Sequence, residues 1–327
     1  MRDTIASDHH RAVTKSLILA HLHRLHTIDS CEQVSPGDIS GQYIPMGFDG
    51  VSFSREHGLF IDQHRCTPTP RRLSGIMGEG SDAYRYFPDT DLLLAARRGG
   101  YDPVLYDAYR DIFPPRHKRS AGLTADGGGS DGEEPARGYW YADLVVYHPG
   151  TLPNGEPFRS TGHWNLPGQL EAFETLAGRV LMIMGGYAEG GEPYLLYQAC
   201  QPGHIVVMPF RGWHLTYVLD GPAVVFNVST ESAAESCSNP GRQASLAGKY
   251  RRAEPLAIAM QKLGESYRFV GADDALQEWG RPDPAPRAHW LNEHVRAGES
   301  LADFYLYGSA ERLALFIDAA WTAYRTI

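Results

Sequence analysis

No window of the chain approaches the roughly 20 consecutive apolar residues needed to cross a bilayer. The N-terminus, Met1-Arg2-Asp3 followed by polar residues and histidines, lacks the apolar stretch of a secretory leader. Cysteine is scarce: Cys31, Cys66, Cys200 and Cys237 are far apart and contain no C-x-x-C pair. That spacing argues against a disulfide framework and against a thiolate zinc site, and points to a reducing, cytoplasmic setting with free thiols. Basic charge is not in excess either. Lys and Arg total 30 against 39 Asp and Glu, a formal net charge of −9, so neither nucleic acid nor an anionic membrane is an expected partner. The densest basic run, Arg116-His117-Lys118-Arg119, is short, and no internal repeat recurs at a fixed period. What is present is a chain of 327 residues, 43% hydrophobic and 11% aromatic. That is enough to bury the core of one large domain with additions.

Residues 10–26 carry apolar positions at helical spacing with few breakers and predict a helix whose histidines are solvated, within an N-terminal arm spanning 1–40. From about 40 to 75, Gly and Pro punctuate short apolar pieces, Val51-Ser52-Phe53 and Gly58-Leu59-Phe60-Ile61, which predict short strands or extended arms. Two helical patterns follow, around Asp91–Ala96 and Val104–Tyr109. The stretch 116–137 includes Asp126-Gly127-Gly128-Gly129-Ser130-Asp131-Gly132 and lacks the apolar residues that would offset the entropy of ordering, so a mobile surface insertion is expected.

Residues 139–230 are rich in strand signals. Tyr141–Tyr147, Val180–Met184, Tyr194–Cys200, His204–Met208, Leu215–Leu219 and Ala223–Val228 are β-branched or aromatic runs, separated by Pro-Gly, Gly-Gly and Asp-Gly-Pro turns. Short strands at regular spacing predict a sandwich or barrel. After about residue 250 the pattern turns helical, at Pro255–Leu263 and Ala310–Tyr324. The expected organisation is therefore an arm over 1–40, a barrel over 41–240 and a helical extension over 241–327.

Chemistry concentrates in two segments. The first is Gly162-His163-Trp164-Asn165-Leu166-Pro167-Gly168-Gln169-Leu170-Glu171, which leads to Gly178. The second is Pro202-Gly203-His204-Ile205-Val206-Val207-Met208-Pro209-Phe210-Arg211-Gly212-Trp213-His214. A His, a Glu opening the next strand and a Gly turn resemble the first half of a cupin metal motif. A Pro-Gly turn, a strand closed by proline and a His opening the next strand resemble the second. Alternate residues of a strand face one side, so ligands from neighbouring strands can converge inside a small barrel. The predicted fold is mainly β, a cupin jelly-roll barrel (double-stranded β-helix), with His163, Glu171 and His214 as ligands of one divalent metal. Two imidazoles and a carboxylate suit Fe2+ first, with Mn2+, Zn2+ or Ni2+ as alternatives, and leave positions for substrate.

The chain resembles the cupin-type glucose-6-phosphate isomerases in further segments. Arg71-Arg72-Leu73-Ser74-Gly75-Ile76-Met77 is similar to the Arg-Leu-Ser segment before that family's barrel, and Asp102-Pro103-Val104-Leu105-Tyr106-Asp107-Ala108-Tyr109 to its Asp-Pro-Val-x-Tyr-x-x-Tyr. Tyr147-His148-Pro149-Gly150 and Ser160-Thr161-Gly162-His163 look like its Tyr-Pro-Gly and Thr-x-Gly-His segments. The likeness runs in one order over about residues 50–230. It implies a single metal, Glu171 as the proton-transfer group of an aldose–ketose isomerisation through an enediol, and substrate contacts at Ser160, Tyr106, Tyr109 and Phe173. The chain also departs from the pattern. Asn165 stands where the family has a second His, leaving Asn165 or Gln169 to fill that position. Val145 stands for a phosphate-binding Thr, and Phe173 for an aromatic hydroxyl.

Two other readings follow from the same residues. Two histidines and one carboxylate also resemble the facial triad of non-haem iron oxygenases, and a cupin pocket can hold a small molecule without turning it over. In each case the expected partner is a small molecule, with a homodimer formed through edge strands or the N-terminal arm.

Overall fold

The computed structural model describes residues 32–33, 43–45, 51–54, 57–61, 64–77, 90–114, 116–117, 138–165, 169–187, 192–208, 212–232, 258–263, 266–271, 282–285, 288 and 290–325. The predicted helix at 10–26 and most of the 116–137 stretch lie outside them. Five short strands come first: β1 (Glu32–Gln33), β2 (Tyr43–Pro45), β3 (Val51–Ser54), β4 (Gly58–Ile61) and β5 (His64–Arg65) form one small antiparallel sheet. The main, ten-stranded sheet is built from β6 (Thr69–Arg72), β7 (Val104–Tyr109), β8 (Arg116–His117), β9 (Gly138–Tyr147), β10 (His163–Trp164), β11 (Glu171–Tyr187), β12 (Pro193–Cys200), β13 (Ile205–Met208), β14 (Trp213–Ser232) and β17 (Asp283–Pro284). A hairpin of β15 (Ile258–Leu263) and β16 (Ser266–Gly271) stands apart from it in pairing. The described residues also form helices α1 (Leu73–Met77), α2 (Thr90–Arg98), α3 (Leu291–His294), α4 (Leu301–Tyr307) and the longer α5 (Ala310–Arg325). The chain is mainly β, dominated by one large mixed sheet.

Two long strands make the barrel. β11 and β14 run antiparallel over nearly their whole lengths, from Glu171 opposite Ser229 to Gly185 opposite Trp213. Each bends in the middle and serves two layers. The first half of β11 pairs on its other edge with β13, the second half with β12. Correspondingly, β14 pairs with β10 at its start and β9 at its end. The bend coincides with register shifts between Thr175 and Val180 and with Gly178, whose φ of +68° suits a residue without a Cβ.

Period-two alternation sorts the side chains. Phe173, Met182, Met184, Val206, Met208, Val145 and Val225 meet between the layers. On the outer face of the first layer, Leu144, Val224, Phe226 and Val228 pack under Phe304, Tyr305, Leu313 and Phe316 of α4 and α5. On the outer face of the second, Leu181, Ile183, Trp213, Leu215 and Tyr217 pack with Met260 of β15. Inside the first outer cluster, the buried Arg116 guanidinium donates to the carbonyls of Tyr305 and Gly308 at the end of α4. The start of the predicted surface insertion is thus an internal cap for the C-terminal helices.

Three expectations from the sequence are corrected. Val104–Tyr109 reads as helix but forms β7, because β6 and β9 offer ladders on both its edges. Pro255–Leu263 reads as helix, yet Ile258–Leu263 is strand β15, paired residue for residue with β16. Leu215–Leu219 and Ala223–Val228 read as two strands but belong to one, since Asp220-Gly221-Pro222 bends β14 without ending its pairing with β11. The helix at Asp91–Ala96 and that at Ala310–Tyr324 stand where the periodicity puts them.

Candidate metal centre

β10 lies in one layer and the start of β11 in the other, and likewise β13 and the start of β14 lie in facing layers. His163 faces His214 across the β10–β14 pair. Glu171 opens β11 opposite Met208, whose strand β13 leads across to His214. The topology therefore delivers two imidazoles from one layer and a carboxylate from the other to a single point. His214 Nε2 lies 3.1 Å from Glu171 Oε2, and His163 Nε2 lies 3.6 Å from Glu171 Oε1. The two imidazoles meet edge-on with centroids 4.2 Å apart. All three groups can place a ligand atom within 4.8 Å of the others.

These separations test whether an ion fits. Two donors each about 2.1 Å from a metal stand roughly 3.0 Å apart at a right angle and about 3.4 Å apart at the tetrahedral angle. The observed 3.1 Å falls inside that range and the observed 3.6 Å lies just above it. Nitrogen and carboxylate donors suit a borderline divalent cation, so the residues present fit the group. Glu171 and His214 are nearly fully buried. A buried carboxylate beside two imidazoles requires a compensating charge, supplied either by a cation or by protonated histidine.

The surroundings are part polar and part apolar. Gln169 Nε2 donates to Glu171 Oε1 at 2.8 Å and fixes one carboxylate oxygen. Phe173, two residues along the same face, packs its ring 5.4 Å from that of His214. Asn165 is buried and follows His163 by two residues, so alternation places it on the same side; its backbone N–H donates to the Gly212 carbonyl. Ser160 Oγ accepts from the Thr216 N–H at 3.0 Å and so ties the approach to β10 onto β14. Tyr106 lines the interior, its hydroxyl 3.5 Å from Thr161 Oγ1. Tyr109 lies on the opposite face of β7, in the outer cluster, where its hydroxyl accepts from the Leu59 N–H. The structure brings His163, Glu171, His214, Gln169 and Phe173 together and keeps Tyr109 apart from them.

Sequence reasoning did not single out Thr216, Asn227 and Ser229, which alternation also turns inward. Thr216 follows His214 by two. Asn227 and Ser229 stand opposite Phe173 and Glu171. The first is legible once His214 is assigned; the other two require the β11–β14 register. Among the described residues, two other reactive groups on this side are occupied or silenced. Arg110 is paired with Asp143 at 2.6 Å, and burial pushes the Cys200 thiol up to about 12, where thiolate chemistry is negligible.

The segments around Ser74 and Asp102 are tied to each other. Asp102 accepts from both the N–H and the hydroxyl of Ser74, and the Leu73 N–H donates to the Pro103 carbonyl. This clamp fixes α1 beside β7 and lets Leu73, Ile76 and Met77 join the interior cluster.

No family model matches the chain, and no curated protein matches it. Among solved structures, the chain is similar to KdgF from Halomonas sp., at 13% identity and a TM-score of 0.23 over 38% of this chain and 77% of that one. It is also similar to a recombinant oxalate oxidase in complex with glycolate, at 18% identity and 0.23 over 35% and 57%. A third is the Lactobacillus farciminis oxalate decarboxylase formate complex, at 16% identity and 0.22 over 29% and 27%. Likeness at this level carries no inference about the reaction.

Proposed function

We propose that the protein is a metal-dependent enzyme in which His163, Glu171 and His214 hold one divalent cation, and that it interconverts an aldose and a ketose. The convergence of the three side chains from facing layers, at separations that suit a shared ion, is the observation that carries the reading. When bound, the cation would polarise a substrate carbonyl and its neighbouring hydroxyl. In this reading Glu171 would move a proton between adjacent carbons, and Gln169, which donates to one of its oxygens, would hold the carboxylate in one orientation. Thr216, Asn227 and Ser229 offer neutral hydrogen-bonding groups on the interior face, and Arg110 is engaged by Asp143. Among the described residues this favours a neutral sugar over a sugar phosphate as the substrate, since a phosphate dianion calls for unengaged cations.

A second reading is supported by the apolar wall of Phe173, Met184 and Met208 beside the triad. Two histidines and a carboxylate in apolar surroundings also suit dioxygen chemistry on Fe2+. One set of measurements separates the possibilities. Protein purified without added metal is expected to contain about one divalent ion per chain, reduced several-fold in His214→Ala. Isomerisation in D2O would put solvent deuterium on the carbon next to the carbonyl of a free hexose or pentose, and Glu171→Gln would abolish it. Oxygen uptake on a candidate substrate, with bound iron and no exchange, would favour the oxygenase. Failure to bind metal under any loading condition would leave a non-catalytic small-molecule binder.

A further inference from the structure

A half-open pocket lies on the side of the barrel. Because β11 pairs with β13 along its first half and with β12 along its second, the two layers part company at that edge and leave a gap. Ala285, Ala288, Leu291, Asn292 and residues 295–299 line it from outside, giving a cavity of about 530 Å³. That volume falls within the range of about 300–1,000 Å³ typical of small-molecule sites.

The walls differ in chemistry. Leu196 stands opposite Met184 in the β11–β12 register, and Val206 faces them from β13. Leu291 and Val295 complete an apolar body. Gln198, Asn292 and Arg296 add polar groups at its border. The acidic lining residue there, Glu299, is already engaged. Both its oxygens accept from the Arg312 guanidinium at 3.0 and 2.6 Å, and the Arg296 backbone N–H donates to it at 2.9 Å. These bonds hold the Glu299 carboxyl below the usual carboxylate range against the upward push of burial. With Arg312 opposing Glu299, the Arg296 guanidinium supplies the surplus charge, and among the described residues no carboxylate forms a side-chain ion pair with it. One surplus cation beside two carboxamides matches a monoanion. A phosphate dianion would call for more donors, and a cation would meet no unpaired acid.

We infer that this lateral cavity is a binding site for a small organic acid with a hydrocarbon body, its carboxylate at the Arg296 border and its chain against Leu196, Met184 and Val206. The site is independent of the metal reading, although its inner wall touches the centre's supports. Met184 is the cross-strand neighbour of His214, and Val206 that of Phe173. An occupant there presses on the residues that pack against the candidate ligands.

Calorimetry on the full chain with octanoate, and with inorganic phosphate as the anion without a hydrocarbon body, tests the assignment. Saturable 1:1 octanoate binding is expected, with none of phosphate. Leu196→Trp fills the cavity and should abolish binding, while Arg296→Gln should weaken it about tenfold through loss of a charge-assisted contact. His214→Ala should leave it unchanged, which keeps this test separate from that of the metal centre. Absence of octanoate binding overturns the proposal, as does binding that survives both Leu196→Trp and Arg296→Gln. So does binding lost in His214→Ala but kept in Leu196→Trp, because the acid would then be reaching the metal centre. Circular dichroism checks the fold of Leu196→Trp; should that variant misfold, exposed Arg296 supplies the deciding substitution.

Discussion

At the scale of single residues, the centre depends on how Glu171 is held. A glutamate with its three side-chain torsions free would spread its oxygens over several orientations, and each imidazole would find it only part of the time. Gln169 removes that freedom with one 2.8 Å hydrogen bond inside the barrel. Supporting hydrogen bonds of this kind typically set metal affinity by about 10–100-fold. Gln169→Ala is accordingly expected to weaken divalent-metal affinity at least about tenfold, measured by competition with a chromogenic chelator. Gln169→Glu should weaken it as well, since a second carboxylate repels the first in place of donating to it. Unchanged affinity in both variants would remove Gln169 from the centre's support.

At the scale of elements, two devices keep the layers in position. The first is the bend of β11 at Gly178. A Cβ there would stand 2.7 Å from the Pro222 carbonyl oxygen and 2.8 Å from Ala223 Cα, both backbone atoms that cannot step aside. Combined with a φ of +68°, this makes Gly178→Ala costly, by more than about 1 kcal/mol, as a lower urea midpoint would report. The second device is Glu174, which points outward from β11 and accepts from the Leu301 N–H at 2.7 Å, docking the first turn of α4 on the barrel. Burial raises its pKa above the ordinary value, outweighing the Leu301 bond. A raised carboxyl is easiest to accommodate when protonated, so its contribution is fullest below the unfolded value near 4.5 and declines as pH rises through the higher folded value. Glu174→Gln, uncharged throughout, should therefore gain stability relative to the parent as pH goes from acid to neutral in parallel denaturation curves. Glu174→Ala should lose about 1–3 kcal/mol, because it leaves a buried N–H without an acceptor.

At the scale of the whole molecule, the C-terminal helices are part of the barrel's core. Phe316 is fully buried among Phe304, Trp290 and Trp140, with ring centroids 5.1, 5.4 and 6.3 Å away. Phe316→Ala should cost about 3–5 kcal/mol, visible as a large fall in melting temperature with the metal-ligand residues untouched. Leu291 and Asn292 of α3 and residues 295–299 after it border the lateral cavity, so the extension both covers one layer and flanks the gap between the two.

How much was legible beforehand follows from the range of each interaction. Alternation, Gly–Pro turns and the spacing of His163, Glu171 and His214 are local properties of the chain, and they determined the β class, the cupin framework and the candidate ligands. The tertiary structure decided what depends on partners distant in sequence. Val104–Tyr109 became a strand because two ladders flank it, and Tyr109 faces away from the interior because β7 presents that face to Leu59. Gln169 holds Glu171, Arg116 caps α4, and the separation of β12 from β13 opens a cavity. A pattern in sequence records which face a side chain takes, whereas what it meets there is set only when strands far apart in the chain come into register.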